Sequence, residues 1–170
     1  LIFVAYSGLY ISFLENERQK MINTYQLFSV PLVETKIVLQ TALLKKITDW
    51  CQKNNKKEDF ISLRGGFQEH NDFDGKEELD EIINSFLRLH MKEKILHGWL
   101  NVLNKNGDNL PHRHTGNNIK SSAVLYLTNN NSAITFMRDS QVFSIYPKLF
   151  DFLIFPHDLI SYAINTGDIN

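Results

Sequence analysis

The chain has 170 residues, 43% hydrophobic and 22% charged, with a formal net charge of -1. That length and apolar share suit one domain with its own core, and the balanced charge excludes the basic footprint of a general nucleic-acid or anionic-lipid binder. The single cysteine, Cys51, excludes an internal disulfide framework and fits a reducing, cytoplasmic setting.

The first stretch, "LIFVAYSGLYISFL", is apolar, opens without methionine, lacks the positive flank of a secretory signal and is short for a bilayer span. Met21 opens a more ordinary start, "MINTYQLFSVPLVETK". Residues 1–20 are therefore expected to be upstream translation or a poorly ordered extension, with 21–170 a single domain. The run "ENERQK" reads as a solvated segment.

From Glu34 to about Asn54, Leu39, Leu43, Ile47 and Trp50 recur at helical spacing, and the polar run "QKNNKK" ends the pattern. Cys51 on this helix reads as a small buried hydrophobe. A second helix is written in "DGKEELDEIINSFLRLHMKEK": Asp74 is the expected N-cap, acids crowd the first turn, and Leu79, Ile82, Ile83 and Phe86 form the apolar stripe. Asp72 and Asp74 read as loop and cap residues, and His90 as a C-terminal-turn histidine.

After Lys94 the periodicity shortens. "ILHGWLNVLN", "SSAVLYLT", "SAITFM", "QVFSIY", "DFLIFP" and "LISYAI" are strand-like runs separated by turn clusters such as "NGDN" and "TNNNS". Helices followed by such a run predict an α+β domain, in which a sandwich or barrel is braced by helices on one face.

"NLPHRHTG" carries the chemistry. Residues i and i+2 of an extended segment share a side, so His112 and His114 can aim two imidazoles into one cavity while Arg113 faces away. Neutral imidazole is a good ligand for Fe, Zn, Cu or Ni, and a third ligand would come from another strand. A pair of exposed turn histidines remains the other reading of the same spacing. There is no G-x-S-x-G elbow and no phosphate-cradling glycine loop; "RGGF" is too short for a nucleotide fingerprint.

Taken in order, "LFSVPLVETKI", "SLRGGFQEH", "GWLNVLNKNGDNLPHRHTG", "SSAVLYL", "SAITFM" and "FDFLIFPHDL" resemble the iron(II)/2-oxoglutarate-dependent oxygenases of bacteria and tailed phages. In that family a "FPTPV"-like start leads to "GGWQS", W-x-N, a Gly-Asp turn, H-x-H, an S-G-V-Y-Y-L strand and an "FPSxLxH" strand. The likeness runs from about Leu27 to the C-terminus. It implies a double-stranded β-helix, or jelly roll, with two helices packed on one sheet. It also implies an oxidoreductase in which Fe(II) and 2-oxoglutarate oxidise a small-molecule or macromolecular substrate; the balanced charge, for its part, points to no nucleic acid or membrane partner. His112 matches the first metal ligand, and His114 falls where the wider superfamily keeps a carboxylate. Asn101 and Tyr126 match pocket positions that would contact the cosubstrate, and Gly65 and Gly66 match a turn.

The departures are equally specific. Ser161 stands where the family has its second ligand histidine, leaving His157, four residues earlier, as the substitute metal ligand if the strand shifts; an edge or turn histidine is its plainer reading. Ala133 and Phe150 replace family glycines. The chain stops at "INTGDIN", before the strand that bears the cosubstrate-clamping arginine, which suggests a piece of a longer reading frame. Two other readings stay open: a non-catalytic binding or structural module on the same barrel, and a cupin-like metal protein. The cupin signature lacks its glutamate here, although Asn165 sits where its asparagine is expected.

Overall fold

The structure is a computed structural model that describes residues 2–9, 23–27, 30–55, 58–60, 63–70, 72–92, 94–95, 97–114, 120–129 and 132–165. In chain order these form β1 (Ile2–Leu9), β2 (Asn23–Leu27), β3 (Val30–Lys36), α1 (Thr41–Lys53), β4 (Glu58–Phe60), β5 (Leu63–Glu69) and α2 (Lys76–Met91). They continue with β6 (His97–His112), β7 (Ser121–Tyr126), β8 (Ile134–Arg138), β9 (Gln141–Ile145), β10 (Asp151–Pro156) and β11 (Ile160–Ile164).

The strands make one curled antiparallel sheet in the order β2-β3-β10-β7-β1-β6-β11-β8-β9, with β5 joined to the other edge of β6 and β4 to β5. Alternation along each strand splits the core in two. Val4 and Tyr6, Ala123 and Leu125, and Phe152 and Ile154 face the helices, where Leu43, Ile47, Leu79, Ile83 and Leu87 meet them. Their neighbours Phe3 and Ala5, Val124 and Tyr126, and Leu153 and Phe155 face inward toward Ile134 and Phe136 of β8. The expected α+β architecture, a sandwich-like or barrel-like sheet with helices on one face, is therefore present. Among the described residues no helix is long and apolar enough to cross a membrane.

Several expectations are corrected. Ile2–Leu9 is no extension: β1 lies between β6 and β7, hydrogen-bonded to both, with Phe3, Val4, Ala5 and Tyr6 buried. An apolar segment with no polar face fits this slot, because both faces of a central strand are covered. Residues 10–20 lie outside the described residues.

The first helix begins at Thr41 rather than near Glu34, since the β-branched "VETK" segment pairs with β10 and leads into the helix through an extended connection. The second helix is capped at Gly75, in the left-handed region (φ 91), and Asp74 makes no side-chain cap. Phe150 has a positive φ (70), the left-handed region that a glycine enters most readily.

The "NGDN" cluster is no loop between strands. β6 runs through it to His112, with Asn106 at φ 63 forming a bulge where Arg64 pairs with Asp108 but Gly66 pairs with Leu103. Gly65 and Gly66, expected in a turn, lie in β5 opposite that bulge. A Cβ on Gly66 would stand 1.9 Å from the Val102 carbonyl oxygen, and one on Gly107 would stand 2.6 Å from that of Gly65. Asn165 closes the bulge: its backbone exchanges 2.8 Å bonds with Asn106 and Gly107, and its amide donates to the Leu103 and Asn104 carbonyls at 2.8 and 3.0 Å. Beyond the bulge β6 leaves β1 and pairs with β11, which carries "PHRH" over the inner face.

Candidate functional site

A cavity of about 220 Å³ opens on this inner face. Its apolar floor comes from Phe3, Ala5, Val124 and Phe155, the inward alternates of the three strands that cross beneath it. One wall is a period-2 run of β6, His97, Trp99 and Asn101, which pair with Ser7, Ala5 and Phe3 of β1.

His112 ends β6 and His114 follows it; both line the cavity, their ring centroids 4.9 Å apart, while Arg113 is exposed. The expected same-side geometry is thus realised. The His112 Nδ1 lies 2.7 Å from the Leu110 carbonyl oxygen, and a carbonyl can only accept, so Nδ1 carries the hydrogen. In the neutral ring this leaves the Nε2 lone pair as the ligating position. His114 rests between Trp99 and Phe155, at centroid distances of 5.5 and 6.3 Å. Burial, then the neighbouring His112 and His157, pushes its pKa down to about 4, so the ring is neutral at pH 7.

Ser161 is buried, lines the cavity and is the cross-strand partner of His112 on β11. The Ser161 hydroxyl therefore lies beside the pair. His157 does not reach this wall. β10 ends at Pro156 and β11 begins at Ile160, so His157 and Ser161 are separated by a tight turn, not carried along one strand. The His157 Nδ1 donates to the Lys120 carbonyl at 3.0 Å, and its own carbonyl accepts from the His114 amide at 3.2 Å. Among the described residues no three His, Cys, Asp or Glu side chains gather around a point where a metal could sit.

Asn101 and Tyr126 both line the cavity and are buried. The Gln68 amide donates to Asn101 Oδ1 at 2.9 Å and fixes its orientation. Burial, then the Asp151 carboxylate, drives the Tyr126 hydroxyl far above its ordinary range, so it stays protonated.

Sequence reasoning missed His70, His97 and Trp99. The i, i+2, i+4 spacing of His97, Trp99 and Asn101 was a signal for two of them, because W-x-N already put Asn101 in the pocket. His70 had no local signal; it arrives by pairing of β5 with β6. The described lining contains no Asp, Glu, Lys or Arg, so its ionisable groups are four histidines and two tyrosines.

Comparison of the chain with protein-family models, curated proteins and solved structures finds no match.

Proposed function

We propose that this chain is a relative of the Fe(II)/2-oxoglutarate-dependent oxygenases, built as a double-stranded β-helix, and that the cavity is its metal and cosubstrate site. One observation carries this reading. Asn101, His112, His114, Tyr126 and the Ser161 position, assigned to one pocket by resemblance to the family, come from three strands and a strand end and all line the same cavity. Chance placement of five such positions around one cavity is a poor alternative.

The residues fit iron only in part. Two imidazoles, His112 and His114, would hold one side of a divalent ion. The third protein ligand is missing, because Ser161 is a poor ligand for Fe(II) and the described residues supply no substitute. In the family the loaded centre couples oxidative decarboxylation of 2-oxoglutarate to substrate oxidation; no step through it follows from this ligand set.

That deficit favours a second reading, a non-catalytic module that keeps the cavity for a small ligand. At about 220 Å³ the space is below the roughly 300–1,000 Å³ of pockets for drug-sized ligands, so either reading points to a small molecule.

The lining makes an ordered test possible. 2-Oxoglutarate carries two negative charges, and the described lining has no fixed cation, so its binding should depend on prior metal binding. Anaerobic titration with Fe(II), with and without 2-oxoglutarate, should give a visible charge-transfer band only when both are present, and His112→Ala should abolish it. Absence of both the band and Fe(II) uptake in the unaltered chain would leave the non-catalytic module.

A further inference from the structure

The same cavity has a second pair of imidazoles that the oxygenase reading does not use. His70 follows the end of β5 and His97 opens β6, at adjacent ends of two antiparallel strands. His70 Nδ1 and His97 Nε2 lie 3.2 Å apart, the rings are inclined at 22°, and Trp99 backs both, with centroids 6.0 Å from His70 and 5.5 Å from His97. Both histidines line the cavity, and His97 is exposed to solvent.

Two nitrogens bound to one ion at about 2.0–2.1 Å, with an angle between 90° and tetrahedral, stand roughly 2.8–3.4 Å apart. The observed spacing falls inside that interval. Without a metal, one ring must donate its N–H to the other. For both nitrogens to ligate an ion, that hydrogen moves through solvent to the other nitrogen of its own ring. Each ring then turns a lone pair toward the ion.

We infer that His70 and His97 form a second divalent transition-metal site at the mouth of the cavity, separate from the His112/His114 pair. Imidazole donors without a lining carboxylate select Zn(II), Cu(II) or Ni(II) over Mg(II) and Ca(II). Two protein ligands leave the remaining positions open to water or to a ligand entering the cavity. An ion there adds a cation on which an anionic group can rest, to a described lining that has no lysine or arginine of its own.

This inference does not rest on the oxygenase reading, and the test separates them. Zn(II) binding is measured by equilibrium dialysis at pH 7.5 on a chain carrying His112→Gln and His114→Gln, with and without an added His97→Gln. The site at the mouth predicts one equivalent of Zn(II) for the first protein and at least a tenfold weaker affinity once His97 is replaced. Equal binding by the two proteins, or none by the first, would overturn it. Should the inner substitutions disturb folding, the imidazole 15N resonances of the unaltered chain decide instead: Zn(II) must shift those of both His70 and His97, and unchanged resonances would refute the site.

Discussion

Ser161 is where one side chain decides between chemistries. It is 4% exposed and faces His112 across the β6–β11 ladder, so a larger ligand there would project into the cavity beside the pair. Ser161→His should strengthen Fe(II) binding by at least about tenfold, ~1.4 kcal/mol, by supplying the missing imidazole. An affinity equal to that of the unaltered chain would show that the pair is not a metal half-site. His114 sets a pH dependence of the same scale. Its folded pKa of about 4 lies below the roughly 6.5 of an unfolded histidine. Between these values the unfolded chain binds more protons, so stability rises with pH across the window, is complete above it and is lost toward pH 4. The linkage amounts to on the order of 3 kcal/mol at most. Urea midpoints at pH 7 and 4.5 should fall more steeply for the unaltered chain than for His114→Gln; parallel falls would contradict the burial argument.

At the scale of the element, the bulge in β6 is what turns a straight strand into a wall and a ligand arm. It depends on two glycines that admit no Cβ, Gly66 and Gly107, and on Asn165, which bonds both sides of the kink. Gly66→Ala places a methyl against the Val102 carbonyl and should cost more than about 3 kcal/mol or shift the β5 register; Asn165→Ala removes two amide bonds and should cost about 1–2 kcal/mol. Denaturation in urea measures both, and a Gly66→Ala chain as stable as its parent would mean that the two strands do not approach as described. The long periodic segments were legible in sequence in part: Leu43 and Ile47 are buried on α1 and Leu79 and Ile83 on α2 as the spacing put them, and the runs of β7 and β10 are strands, whereas Leu39 precedes α1 and Ile82 and Phe86 are only partly buried. The bulge was misread as a turn, since Asn-Gly-Asp is the same local chemistry whether the chain reverses or kinks. Only the partner strand and Asn165, far along the chain, distinguish the two.

At the scale of the whole molecule, β1 joins the parts. It bridges β6 and β7, contributes Val4 and Tyr6 to the helix-side core, and contributes Phe3 and Ala5 to the cavity floor. Each large side chain buried there contributes about 1.5–3 kcal/mol, against a total stability of roughly 5–15 kcal/mol. A chain shortened to begin at Met21 should therefore lose its cooperative unfolding transition and the dispersion of its amide resonances; a folded, cooperative product would show that β1 is dispensable. The sequence by itself determined the elements with strong periodicity, the α+β class and the shared side of His112 and His114, because those follow from spacing along one strand or helix. Tertiary structure alone decided that the apolar N-terminal stretch is a central strand, that Ser161 faces His112, and that His70 meets His97. Those are pairings between residues far apart in the chain, fixed by strand register and shared burial, for which local pattern carries no signal.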